Sequence, residues 1–327
     1  MIMDNQGKRN SAPLSCPEGL APRCGVLVIS HGSSNKGWIR KVDECVREIR
    51  RPDDLPIYAS FLEMVEGRTI QDGIRELEDQ GVTDLIVIPL FISAGSSHIE
   101  EIQALLGVGA NPASASSPEL QLKSRPQSAG GSRSVSSQPG AGGEEPFAPG
   151  TASVLASMPG TDKKSGIPRP DIKRLELNAR VHWTSPIGDC EPIARLLLQK
   201  LQECSLDPKQ EVVLVIGHGS DLEPGYTRWK QDLDGLARRV RRLGGFAAAE
   251  GVTLLPDELK PRLDYWSKQE PKLTVLLAPL FVSPGYFTEK VIPRRASEYE
   301  YRYNGKALLP SSVISRWMEQ QIAPFLG

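Results

Sequence analysis

The run GVLVISHGSS (residues 25–34) is apolar until it stops on a histidine, a glycine and two serines. The same phrase returns as VVLVIGHGS at 212–220. A histidine at the end of an apolar strand is a polar group delivered to a strand terminus. Its imidazole can ligate a metal, carry a proton near neutral pH, or simply satisfy a local hydrogen bond. The chain has four histidines. His31 and His218 close the two repeated runs, and His98 follows the apolar run DLIVIPLFI (84–92). The fourth, His182 in RVHWTS, reads as packed or hydrogen-bonded structure.

Periodicity supplies the elements that must hold these side chains. A short strand at 25–30 precedes a helical stretch at 36–51, and PIYASFLEM (56–64) reads as a second strand. TIQDGIRELEDQG (69–81) is an amphipathic helix closed by Gly81. DLIVIPLFI is apolar almost throughout, as expected of a parallel strand covered on both faces. SSHIEEIQALLG starts another helix, RLELNARVHWTS (174–185) reads as a strand and EPIARLLLQKLQE (191–203) as a helix. The second half repeats the plan with EVVLVIGHGS, a helix over YTRWKQDLDGLARRVRRL, and LTVLLAPLFVSPGYFTEKVIP. His31 and Pro89 are 58 residues apart and His218 and Pro279 are 61 apart. Two phrases in one order at nearly one separation indicate a tandem duplication. The expected fold class is α/β: two tandem domains, each a parallel sheet flanked by helices. Ligands in such sheets bind beyond the carboxyl ends of the strands, where His31, His98, His218 and both PLF loops fall.

Segment 108–170 is rich in Ser, Gly, Pro and Ala and lacks apolar periodicity, so it is expected to be a disordered insertion in the first domain. The expected organisation is a disordered tail at 1–22, a first domain at 23–207 and a second at 208–327. Lys and Arg number 39 against 40 Asp and Glu, which argues against a general grip on nucleic acid. No apolar run reaches the ~20 residues needed to span a bilayer. The first residues lack the apolar core of a signal peptide, so a cytoplasmic protein without a membrane partner is expected. Five cysteines, Cys16, Cys24, Cys45, Cys190 and Cys204, contain no CxxC pair. They support neither a disulfide framework nor an iron–sulfur cluster.

Taken in order, VISHGSS, ASFLEMVEGRTIQDGIRELEDQGVTDLIVIPLFISAGSSHIEEI and the duplicated VIGHGS…APLFVSPGYFTEKVIP resemble the CbiX-type sirohydrochlorin chelatases of the class II chelatase superfamily. The resemblance covers nearly everything except the tail and the insertion. It implies two class II chelatase-like domains and a lyase that inserts a divalent metal into sirohydrochlorin. Cobalt towards cobalamin is the first expectation, and ferrous iron towards sirohaem is the alternative. It also implies that His31 and His98 bind the incoming metal and that Glu63 of the FLE segment assists. These three residues are thus both the catalytic and the metal-binding set. Between PLF and His98 the chain carries one residue more than the family pattern.

Imidazole is a borderline ligand suited to Co²⁺, Fe²⁺ and Ni²⁺, and the departing macrocycle protons need an acceptor within hydrogen-bond reach. The substrate is rich in carboxylates. Helix starts after HGSSNK and AGSSH would meet them with backbone N–H groups and the hydroxyls of Ser33, Ser34, Ser96 and Ser97, with Lys36 and Arg40 as nearby cations. Glu66, Glu100 and Glu101 compete with Glu63 for acid–base work. No cofactor beyond the substrate metal is expected, and the chain is expected to be a monomer with pseudo-dimeric halves.

In the second half Phe287 or Thr288 stands where His98 would, and VTLLPDEL offers no clear counterpart of Glu63. His218 then reads as vestigial or structural, with Tyr286 and Phe287 forming an apolar wall. A histidine phosphatase also begins with a strand ending in His-Gly, but needs an arginine before the histidine, where this chain has Ser30 and Gly217. A non-catalytic tetrapyrrole or metal carrier is the remaining alternative.

Overall fold

A computed structural model describes residues 23–108 and 174–326. The expectations for the tail 1–22, for Cys16 and for nearly all of the insertion 108–170 lie outside these residues. The first half is a strand–helix alternation, four times over: β1 (Cys24–Ser30), α1 (Lys36–Arg47), β2 (Ile57–Phe61), α2 (Ile70–Asp79), β3 (Asp84–Pro89), α3 (Ser97–Leu105), β4 (Arg180–Trp183) and α4 (Glu191–Leu201). Its strands lie in the order β2-β1-β3-β4, all parallel. β1 and β3 are the inner strands, and Val26, Leu27, Val28 and Ile29 of β1 have no exposed surface, which is why its run carries no alternation.

Local chemistry sets the boundaries. The Asn35 side chain accepts from the N–H groups of Gly37 and Trp38 and starts α1. Thr69 and Asp72 form a reciprocal capping box on α2, and Gly81, at φ +83°, turns the chain out of it. The strand expected over 174–185 forms only at 180–183. Ahead of it, side chains take the backbone groups: Glu176 N–H donates to Gln71, and the N–H groups of Asn178 and Ala179 donate to Glu78. Those residues are tied to α2 and join no ladder.

The second half contains β5 (Glu211–Gly219), α5 (Gly225–Gly244), β6 (Ala248–Leu255), α6 (Leu259–Gln269), β7 (Thr274–Pro279), α7 (Ile292–Ala296) and α8 (Ser312–Ile322). Its sheet is parallel in the order β6-β5-β7. Where β4 would stand, Arg302 makes one parallel bridge to Leu276. The two sheets are therefore variants of one plan, and α8 occupies the place in the second that α4 has in the first.

The closing helices cross over. α4 packs against α5, and α8 packs against α1 and β3. At the α1–α8 seam the buried Ser315 hydroxyl donates to the Cys45 carbonyl oxygen at 3.0 Å. One continuous core joins Val26, Val42 and Ile86 of the first half to Val213, Leu236, Leu276, Trp317 and Met318 of the second. No helix among the described residues is long and apolar enough to cross a membrane.

Candidate active site

Beyond β1 the pairing with β2 continues by two hydrogen bonds: Leu62 N–H to Ser30 O at 2.9 Å, and Glu63 N–H to His31 O at 3.0 Å. They bring Glu63 beside His31. Gly32 lies between them at φ +98°, where a Cβ would run into the Glu63 carbonyl oxygen, so this position requires glycine. The result is a contact of 3.2 Å between His31 Nε2 and Glu63 Oε1. The His31 and His98 rings meet edge to face, with centroids 4.7 Å apart.

The hydrogen bonds fix the tautomer of His31. Its Nδ1 lies 3.1 Å from the Gly32 carbonyl oxygen, which can only accept, so Nδ1 carries the proton. Burial, followed by the neighbouring His98, holds the His31 pKa below its ordinary value, which favours the neutral ring. Its Nε2 lone pair then faces the Glu63 carboxylate, and two acceptors at this distance call for a cation to share. His98 is oriented in the same manner: its Nδ1 lies 3.3 Å from Oε2 of Glu101, itself buried on the same face of α3. A carboxylate behind an imidazole sets the tautomer and the orientation of the ring. No three His, Cys, Asp or Glu among the described residues are arranged to hold a metal ion by themselves. His31, Glu63 and His98 are therefore neighbours, not a preformed three-ligand site.

The second half repeats the geometry around its histidine but replaces the two partners. His218 Nδ1 lies 3.0 Å from the Gly219 carbonyl oxygen. Gly219, at φ +83°, is backed by the carbonyl of Leu255 as Gly32 is by that of Glu63. Leu255 therefore occupies the position of Glu63. Phe287 meets His218 edge to face at 4.9 Å, as His98 meets His31, which assigns Phe287 to the place of His98. Thr288 is instead buried and spends its hydroxyl on both backbone groups of Gly285.

Both histidine sites open into one cleft of about 800 Å³ between the halves. Ser33, Ser96 and Ser97 line it; Ser34 is exposed and does not. Ser96 caps α3 without a side-chain bond to its backbone; the Ile99 N–H donates to the Ser96 carbonyl oxygen at 3.0 Å, which leaves the N–H groups of Ser97 and His98 to face the cleft. At α1 the expectation of free donors fails, because Asn35 already takes Gly37 and Trp38. Lys36 and Arg40 are exposed and absent from the lining, and Glu100 is turned towards Arg228 at 3.5 Å. His182 pairs with Asp84 at 2.8 Å on β4, a structural role as expected.

Sequence reasoning placed Glu101 only among competitors; the His98–Glu101 spacing of three on one helix was the signal for it. It also passed over Met64 and Leu222. Both are exposed apolar residues in the cleft, as is Tyr286, and Met64 holds φ +63°. Such a backbone conformation is sparsely populated for a non-glycine residue and clusters at functional sites.

Comparison with known proteins agrees with the duplicated plan. The CbiX family model matches residues 25–204 and again 212–322. The sirohydrochlorin cobaltochelatase of Methanothermobacter thermautotrophicus is 30% identical over 87 residues, 27% of this chain and 60% of that protein. That of Sulfolobus acidocaldarius is 30% identical over 89 residues, 27% of this chain and 71% of that protein. The chain thus matches less than two thirds of the length of the first. In fold it is similar to SirB from Bacillus subtilis, solved with Fe³⁺, at a TM-score of 0.58 and 16% identity over 92% of this chain and 94% of that one.

Proposed function

This chain belongs to the CbiX family, and on that premise we propose that it is a sirohydrochlorin chelatase, a lyase inserting a divalent metal ion into an acidic tetrapyrrole. The observation that carries this reading is His31 and His98 edge to face at the wall of an open cleft, with Glu63 in contact with His31 Nε2 behind that wall. The metal is a substrate, so the protein must hold it and then let it go. Two imidazole nitrogens and one carboxylate do that: they are borderline-to-hard donors in a set too small to close around the ion. Glu101 keeps His98 turned with Nε2 free.

The tetrapyrrole is flat, apolar on its faces and anionic at its rim. Met64, Leu222 and Tyr286 supply exposed apolar surface within the cleft. The hydroxyls of Ser33, Ser96 and Ser97 and the N–H groups of Ser97 and His98 at the start of α3 supply donors for carboxylates. Cobalt is the metal we assign first, because the curated relatives are named cobaltochelatases. Ferrous iron, towards sirohaem, is second, since these donors accept either ion as well as Ni²⁺. We take 23–207 and 208–327 as the two domains of a monomer, its halves locked by their shared core. The free thiols of Cys24, Cys45, Cys190 and Cys204 suit a reducing cytoplasm.

The test is absorbance-monitored insertion of Co²⁺, Fe²⁺ and Ni²⁺ into sirohydrochlorin. His31→Ala and His98→Ala should each abolish it while leaving the circular dichroism unchanged. Near-normal turnover by either folded variant overturns the ligand assignment. Tight tetrapyrrole binding without insertion by the wild type would mark a carrier.

A further inference from the structure

His218 is the half of the repeated motif that the metal set leaves unused. The sequence alone reads it as a remnant, but the fold puts it in the same cleft as His31 and His98. β5 presents it as β1 presents His31, with Nδ1 donating to a glycine carbonyl at 3.0 Å and the Nε2 lone pair left open. Its surroundings differ. Leu255 stands in place of the carboxylate and Phe287 in place of the second imidazole. A single imidazole with no second donor is a weak holder of a labile divalent ion. A fixed, neutral imidazole with an open lone pair is a proton acceptor.

We propose that His218 accepts the pyrrole N–H protons displaced as the metal enters the macrocycle, acting from the second half's wall of the cleft while His31 and His98 hold the ion. This inference rests on the chelatase reading. In each of two steps a pyrrole N–H bond breaks and its electron pair forms the nitrogen–metal bond. The proton passes to His218 Nε2, and the imidazolium releases it to water at the cleft mouth before the second transfer. His31 and His98 cannot serve at that moment, because their free lone pairs are on the metal. Burial, with His98, His31 and Arg295 as the charged or chargeable neighbours, lowers the basicity of His218 and keeps it unprotonated before each step. Asp221 also lines the cleft.

The experiment uses the full chain and its His218→Ala variant, with Co²⁺ as the metal. Cobalt insertion should fall about 10²-fold in kcat, a typical general-base contribution. Co²⁺ affinity measured without tetrapyrrole should be unchanged. Free imidazole in the buffer should restore part of the rate. A folded variant with undiminished kcat overturns the inference, as does a loss matched by weaker Co²⁺ binding without imidazole rescue. A wild type that inserts no metal overturns the chelatase reading itself, a separate and visible outcome.

Discussion

Gly32→Ala and Gly219→Ala make a matched pair of perturbations, because the two glycines occupy the same backbone geometry in front of different chemistry. Each has a positive φ, +98° and +83°, and in each a Cβ would strike a carbonyl oxygen, that of Glu63 or of Leu255. Holding a non-glycine residue in the left-handed region costs about 1–2 kcal/mol. Relieving the clash also displaces the residue behind each glycine, at about 1 kcal/mol of backbone hydrogen bonding: the Glu63 N–H bond to the His31 carbonyl in one case, the pairing of Leu255 in the β5–β6 ladder in the other. Each variant should therefore lose about 2–3 kcal/mol, and at about 2–4 °C per kcal/mol for a domain of this size Tm should drop by about 4–12 °C. Function should split them. Moving Glu63 by ~1 Å loosens its hold beside His31, and misplacements of that size lower rates by up to ~10²-fold. Gly32→Ala should weaken Co²⁺ binding as well as turnover, while Gly219→Ala, with Leu255 behind it, should leave Co²⁺ binding intact. The assays are thermal melts and Co²⁺ titration of both proteins. Equal Co²⁺ affinity in the two, at equal loss of Tm, would refute the assignment of Glu63 to the metal.

Glu63→Gln should weaken Co²⁺ binding and lower kcat, since the carboxylate beside His31 Nε2 shares the ion; unchanged Co²⁺ affinity and kcat would remove Glu63 from the metal set. Glu101→Gln keeps the shape but not the charge behind His98, and a 10–100-fold loss of metal affinity in titration is expected of such an outer partner. Both His31 and His218 have pKa values below the ordinary 6.5. Below pH 6.5 the unfolded chain protonates these groups first, so stability should fall as pH drops from 6.5 towards the folded values and be flat above; denaturant titrations across that window check the sign. Met318→Ala on α8, a side chain with no exposed surface, should cost about 2–5 kcal/mol. Faster amide exchange should then appear in α1 of the first half, and confinement of the effect to the second half would contradict the shared core.

The repeated strand and its histidine were legible because a buried parallel strand must be written as an unbroken apolar run, as in β1, β3 and β5. The helix ends were legible from Thr69 and Gly81. β6 was not, since it opens on Ala-Ala-Glu-Gly, residues with little strand preference, and gains its place by pairing with β5. That hid Leu255 as the counterpart of Glu63, which only the Gly219 contact reveals. The extra residue before His98 likewise left Phe287 and Thr288 indistinguishable until the ring geometry separated them. The exchange of α4 and α8 leaves no local trace, because Ser315 and Cys45 are 270 residues apart in the chain.

That exchange constrains how such a protein can change by deletion. A duplicated half that has lost its carboxylate and its second imidazole would ordinarily be dispensable. Here the second half contributes α8, which packs on α1 at Cys45 and shares a core with Val42 and Val46, and receives α4 over α5. Cutting the gene between the halves would leave each product with an uncovered apolar face and a stranded helix. The descendants open to this architecture are those that reassign the second half's residues while keeping its helices, and a histidine freed from metal binding is the kind of residue such a history leaves available.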